Sequence, residues 1–280
     1  MSTQAEKARA FQALHQRQGA FIIPNPWDIG TARILAHLGF EALATTSMGY
    51  AFSIGKCDSS VGREKMIEHV GAITSATKLP VSADLENGFG DAPEEAAKTI
   101  RMAAKAGAVG GSIEDSRNSA ADRAANPIYE IAHAADRIRA AAEAARAQAF
   151  PFTLTARAEN YLHGRPDLRD TIARLQAYQE AGADVLYAPG LSKKEEIGEV
   201  VRSVDRPVNV VIGALGGKLN LAELSALGVK RISIGGALNR VAFGAFLQAA
   251  REMREKGTFT FLGGAAPARE FTEIFKLWNS

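Results

Sequence analysis

Residues 105–115 read KAGAVGGSIED. A helical stretch ending at Lys105 gives way to Ala106 and Gly107, then to an apolar run that finishes on two acids, Glu114 and Asp115. A glycine just past a helix end can take the left-handed conformation that closes the helix. A strand beginning one or two residues later is the short connection expected of repeated α/β units. The same order recurs as HLGFEALATTS (37–47), EAGADVLYAPG (180–190) and ALGVKRISIGG (226–236), with Gly39, Gly182 and Gly228 in the place of Gly107.

Filling the intervals predicts eight strands: Phe21–Pro24, Ala42–Ser47, Val81–Leu85, Val109–Glu114, Phe152–Arg157, Val185–Ala188, Val208–Ile212 and Arg231–Gly235. Most are continuous apolar runs, as in parallel strands covered on both faces. Helical stretches separate them. In APEEAAKTIRMAAKA (92–106), Pro93 and two glutamates mark the first turn. Eight alternations predict an α/β fold, a closed (β/α)8 TIM-type barrel, spanning residues 1–280 as one domain. An open doubly wound sheet is the competing arrangement, but no Gly-rich phosphate turn follows the first strand. The N-terminal stretch reads as an amphipathic helix with Phe11 and Leu14 on one face. The C-terminal tail, about 257–280, breaks at GGAAPA and resumes as a helix carrying Phe271, Ile274, Phe275 and Trp278. That helix has two places to pack: its own barrel or a neighbouring subunit.

A chain of 280 residues suits such a barrel, and 46% hydrophobic with 23% charged residues supports one large core. A net charge of +2 offers no electrostatic case for nucleic acid or an anionic membrane surface. No stretch reaches the roughly 20 uninterrupted apolar residues of a membrane span. The single cysteine, Cys57, precludes an internal disulfide and points to a cytoplasmic protein.

Barrel enzymes carry their chemistry at the C-terminal strand ends. Those ends hold Thr45, Thr46 and Ser47; Asp84 and Glu86 in SADLENGFG (82–90); Glu114 and Asp115; Arg157 and Glu159; Tyr187; and Gly235 and Gly236. Residues two apart on a strand share a face, which sets Asp84 and Glu86 on one side. Like charges that close call for a cation. Asp84, Glu86 and Glu114, all hard oxygen donors, suit Mg²⁺, or Mn²⁺, better than Zn²⁺. Arg157 offers a fork for a substrate carboxylate or phosphate, or an internal ion pair with Glu114 or Glu159. Asp115 reads equally well as a structural acid. The five histidines lack ligand spacing and read as surface or packing residues.

Together, TTSMGYAFSIGKCDSS, SADLENGFG, GGSIEDS and TARAEN resemble the isocitrate lyase/phosphoenolpyruvate mutase superfamily over roughly residues 10 to 250. The resemblance implies a barrel whose last helix is swapped between subunits of a homotetramer, a dimer of dimers. It implies Mg²⁺ at Asp84, Glu86 and Glu114, a substrate turn at Thr46, Ser47 and Met48, and Asp58, Glu114 and Arg157 as catalytic residues. The implied activity is that of a lyase or oxo-acid decarboxylase, breaking or forming a C–C or P–C bond in a small 2-oxo or 2-hydroxy carboxylate through an enolate. A phosphonopyruvate-type mutase or hydrolase, or a non-catalytic metabolite-binding barrel, is the alternative. Two departures stand out. Glu86 replaces the second Asp of the usual Asp-x-Asp. The loop 116–130, SRNSAADRAANPIYE, holds neither the catalytic Cys of the lyase branch nor the Lys of the mutase branch. It offers Arg117, Asn118 and Asn126 instead. Cys57 follows strand two, away from that loop, and is not the acid.

Overall fold

The computed structural model describes residues 2–117, 126–215 and 218–278; Asn118 lies outside them. Eight strands form one parallel sheet: β1 Phe21–Ile23, β2 Leu43–Ala44, β3 Val81–Asp84, β4 Gly110–Glu114, β5 Thr153–Arg157, β6 Val185–Tyr187, β7 Val208–Val211 and β8 Arg231–Ser233. The order β1-β8-β7-β6-β5-β4-β3-β2 curls into a nearly closed (β/α)8 barrel. At the seam Ala44 N–H donates to Pro24 O at 3.0 Å. Buried Asn25, just past β1, reinforces it: Nδ2 donates to Thr45 O, and Oδ1 accepts from Ile234 N and Gly235 N, all at 2.9 Å.

All eight strands fall where the apolar runs place them, and Gly39, Gly107, Gly182 and Gly228 carry φ of 85°, 96°, 105° and 90°. These left-handed angles are the predicted helix closures. At Gly107 a Cβ would also meet Thr74 Oγ1 at 2.8 Å, so the helix–strand corner admits no side chain. The second strand is shorter than Ala42–Ser47. Thr46 leaves it to cap a short helix, Ser47–Ser53, with its Oγ1 accepting from Gly49 N at 3.2 Å. A local cap outcompetes strand extension.

The N-terminal helix α1 (Gln4–Gln16) turns Ala8, Phe11, Leu14 and His15 inward. Phe11, Leu14, Phe21, Ile23, Ala42 and Val109 form one cluster that closes the N-terminal end of the barrel. The helix Pro93–Lys105, with Pro at its start, packs by alanines against the helix Ile131–Arg146. The tail helix Ala268–Lys276 packs on the chain's own helix Ile29–His37. Ile274 is buried there, and Trp278 lies under the Arg33 guanidinium at 5.7 Å. In contrast, the helix after β8, Ala237–Lys256, buries Asn239 and exposes Val241, Phe246 and Leu247. No helix is long and apolar enough to cross a membrane among the described residues.

Two histidines are packing residues, as expected. His15 meets Phe11 and Phe21 edge-on, with Nδ1 2.9 Å from Phe11 O. His69 stacks on Tyr50 at 4.0 Å. Burial, aided by the Arg231 charge, pulls His15 down to about 3. Burial pulls His69 down to about 4, against the opposing pull of Asp28 and Asp84. Both rings therefore stay neutral in the folded chain while the unfolded chain protonates near 6.5. From pH 6.5 down to about 4, stability falls by about 1.4 kcal/mol per pH unit for each histidine. Urea midpoints measured from pH 7 to pH 5 will show this slope, and His15→Phe will remove one proton's share. An unchanged slope in that variant contradicts the assignment.

Candidate active site

The C-terminal rim is built from the ends of β2 to β5. Thr45 Oγ1 accepts from Asp84 N at 2.8 Å, which ties β2 to β3. Ser47 then donates to Asp84 Oδ2 twice, from N at 2.9 Å and from Oγ at 2.8 Å. Asp84 is thereby fixed in one orientation. Its other oxygen, Oδ1, is buried and has no hydrogen-bond partner, and Arg157 Nη1 stands 3.9 Å from it.

Arg157 occupies the centre of the rim. Nη1 lies 3.2 Å from Glu114 Oε2, Nε donates to Glu159 Oε1, and the guanidinium sits 5.1 Å over the Tyr187 ring. Ser116 Oγ donates to the other oxygen of Glu114. Although burial opposes its charge, the acids Glu159 and Glu114 hold the Arg157 guanidinium well above its ordinary value. Burial raises the Glu159 carboxyl; Arg157 opposes that rise, and Glu114 and Asp115 add to it. Both readings of Arg157 as an internal ion-pair partner therefore hold at once.

Asp115 faces away from this cluster. Its Oδ2 accepts from Tyr178 OH at 2.6 Å and Arg174 Nη1 at 3.0 Å, and its Oδ1 accepts from Glu159 N at 2.8 Å. It is a buried pillar that positions Glu159.

The acidic turn after β3 departs from the strand rule. The strand ends at Asp84, and Glu86 has φ of 49°, so alternation no longer sets its direction. Glu86 is buried, and its carbonyl accepts from Glu114 N at 3.0 Å. Phe89 also has a left-handed φ, 60°. Two such residues beside an acid cluster store strain that surrounding contacts must hold. Arg63 donates to Gly88 O and Phe89 O at 3.0 and 3.1 Å. Arg137 donates to Asn87 O, and to Gly90 O and Asp91 O at 2.6 Å each.

Asp58 sits on the exposed loop beyond the Ser47–Ser53 helix. Desolvation raises its carboxyl, and the charges of Asp84 and Glu114 raise it further, against Ser59 N–H and Arg157. Met48 packs on Gly236, where a Cβ would meet its Sδ at 2.8 Å. Cys57 is exposed and free. Asn126 pairs with Glu130 and Arg165, and Arg117 lies 4.9 Å over Tyr129.

A cavity of about 50 Å³ opens beneath the rim. Its lining includes Asp84, Arg157, Tyr187, Asn209, Arg231 and Ser233. A larger hollow of about 630 Å³ lies at the opposite end, against Gln12, His15 and Arg146, far from the carboxylates. Chemistry, not size, selects the smaller one. Asn25, Asn209 and Arg231 escape a reading confined to strand ends. Their signal is a polar side chain inside or just past an apolar run, as in FIIPN and KRISI.

Among the described residues no three His, Cys, Asp or Glu side chains stand ready as a metal cage; Arg157 fills the space between the acids. Mg²⁺ needs few protein ligands and keeps several waters. The unpartnered Oδ1 of Asp84, with Glu86 and Glu114 close in the chain fold, fits an ion of that kind.

A family model described as phosphoenolpyruvate phosphomutase matches residues 11–254. An uncharacterised Mycobacterium tuberculosis protein is 31% identical over 247 residues, covering 88% of this chain and 89% of its own. The 2,3-dimethylmalate lyase of Eubacterium barkeri is 28% identical over 214 residues, covering 74% and 72%. A solved Burkholderia cenocepacia structure, provisionally described as a lyase/mutase, superposes with a TM-score of 0.93 at 63% identity over 97% of this chain and 96% of that one. The eight-stranded barrel, the acid-and-arginine rim and these matches lead to one assignment: the chain belongs to the phosphoenolpyruvate mutase family, in the isocitrate lyase/phosphoenolpyruvate mutase superfamily of lyases and mutases acting on small carboxylates.

Proposed function

We propose that this chain is a Mg²⁺-dependent carbon–carbon lyase that cleaves, or joins, a small 2-oxo or 2-hydroxy carboxylate through an enolate. The observation that carries the reading is Asp84, whose buried Oδ1 has no hydrogen-bond partner and faces Arg157 across 3.9 Å. An anionic substrate and its cation enter there with least disruption, because this is the longest of the Arg157 ion pairs. Asp84, Glu86 and Glu114 would hold the ion, directly or through water. When bound, Mg²⁺ would polarise the substrate's oxygens and stabilise enolate charge.

The remaining roles belong to the chain. Ser47 keeps Asp84 aimed through two donated bonds. Arg157, held charged by its acids, receives the substrate carboxylate. Thr46, Ser47 and Met48 line the turn beside it. Asp58, with its carboxyl pushed up, exchanges a proton at the mouth.

Incubation with oxaloacetate, 2-methylisocitrate, 2,3-dimethylmalate and phosphonopyruvate tests the reading. The expected result is C–C cleavage of one carboxylate, abolished by EDTA and restored by Mg²⁺. Phosphonopyruvate turnover alone moves the assignment to a mutase or hydrolase. Saturable binding without product makes the barrel non-catalytic.

The helix Ala237–Lys256 is proposed to pack, swapped, on a second copy within a homotetramer. Its exposed Val241, at 71%, and Phe246, at 74%, are an apolar surface in need of cover. Sedimentation of the wild type at about four times the chain mass, and of Phe246→Asp at a lower mass, is the expected outcome. The free, exposed Cys57 accords with a reducing cytoplasm.

A further inference from the structure

Barrel interiors are usually filled by layers of branched apolar side chains. Here the interior carries a cation. Arg231, on β8, is 4% exposed. Its Nε donates to Asn209 Oδ1 at 2.8 Å, and Asn209 Nδ2 donates to Ser233 Oγ at 3.0 Å, so the head group is held in one orientation. Its Nη1 is buried without a hydrogen-bond partner. Among the described residues no carboxylate pairs with it. A buried charge left unpaired is costly, and proteins retain one where something meets it.

Arg231 faces the cavity that opens at Asp84 and Arg157. That space, about 50 Å³, is several times the roughly 10–15 Å³ needed for one water. It admits the two oxygens of a carboxylate, and the guanidinium fork matches them. Burial lowers the Arg231 guanidinium to about 10, which leaves it charged at neutral pH.

We propose that Arg231 anchors the far carboxylate of a dicarboxylate substrate, drawn into the barrel interior while the reacting end stays at Arg157 and Asp84. The proposal rests on the reading above, in which a small carboxylate binds at Arg157. It adds a specificity residue, Arg231, that meets the second carboxylate of such a substrate. A free anion such as chloride shares the chemistry, and the test separates the two sources.

Lactate and malate differ in one carboxylate. Calorimetric titration of the full-length, Mg²⁺-supplemented protein is expected to show malate binding at least 30-fold tighter than lactate. Arg231→Met should bring the ratio to near one without changing lactate affinity, and Arg231→Lys should restore part of it. Equal affinities in the wild type, or an undiminished ratio in a folded Arg231→Met, overturn the proposal and leave the Arg157 site standing. Displacement of bound malate by chloride only at Arg231, with no malate advantage at low chloride, assigns the site to free anions and also overturns it. If neither acid binds the wild type, the reading of Arg157 fails as well. Should Arg231→Met not fold, a wild-type crystal with malate decides: a carboxylate on Arg231 Nη1 supports the proposal, and one elsewhere overturns it.

Discussion

Asp84→Ala is expected to lower turnover of the preferred carboxylate by at least about 10³-fold while the barrel stays folded. The side chain stands at the rim, half-buried, so its loss opens little of the core. The structural cost is confined to Ser47, whose N–H and Oγ–H lose their acceptor. Such a loss is on the order of 1–3 kcal/mol. The catalytic cost is larger, because the group that would hold the cation opposite Arg157 is gone. Removing one preorganised charge-stabilising partner typically costs about 10²–10³-fold, and a metal-holding acid stands at or above that range. Asp84→Asn separates charge from shape: it keeps the volume and should be nearly as inactive. Turnover at saturating Mg²⁺, with circular dichroism as the folding control, makes the measurement. Unchanged turnover in either variant would sink the metal role.

Arg157→Met is expected to damage both activity and stability, in a pH-dependent way. Asp84, Glu114 and Glu159 all lose their shared cation. Glu159 is 4% exposed, so its charge has little water to fall back on. Breaking a buried pair by deleting one partner costs roughly 3–5 kcal/mol. At about 2–4 °C per kcal/mol for a chain of this size, the melting point should fall by roughly 6–20 °C.

The pH trend has a definite sign. In the folded wild type, burial already raises the Glu159 carboxyl above its unfolded value, against Arg157. Without Arg157 it rises further. A carboxyl raised on folding leaves stability intact below the ordinary carboxylate range and removes it as pH climbs toward the folded value. The gap between variant and wild type should therefore stay nearly constant from the ordinary carboxylate range up to about pH 8, where Glu159 begins to ionise in the folded wild type, and widen above it. Arg157→Lys, which keeps the charge but not the fork, should recover part of the stability. A melting-point deficit independent of pH would contradict this account. Loss of the carboxylate anchor should also raise KM for any substrate that binds at Arg157.

The reach of the sequence differed between these features. Strand positions and the four left-handed glycines were readable because each depends on a few neighbours: an apolar run, a helix end, a missing Cβ. The cap at Thr46 was not, since the same residues also make a good strand, and the bond from Gly49 N decided between them. The packing of Phe11 and Leu14 followed from helical spacing. That they close the bottom of the barrel did not. For the rim, strand-end position was enough to nominate Asp84, Glu114, Arg157 and Glu159. It was not enough to orient Glu86, because alternation lapses where the strand ends and φ turns positive.

Local chemistry therefore determined the barrel, its rim and the residues that reach it. Pairing was decided in three dimensions. Arg157 meets three acids, two at the ends of β3 and β4 and one just past its own strand, while Arg231, an equally plain arginine in the sequence, meets none among the described residues. Charge–charge energy depends on distance and on the water excluded between groups. Both are set only when β3, β4, β5 and β8 come together in the closed sheet, with residues far apart in the chain facing one small cavity.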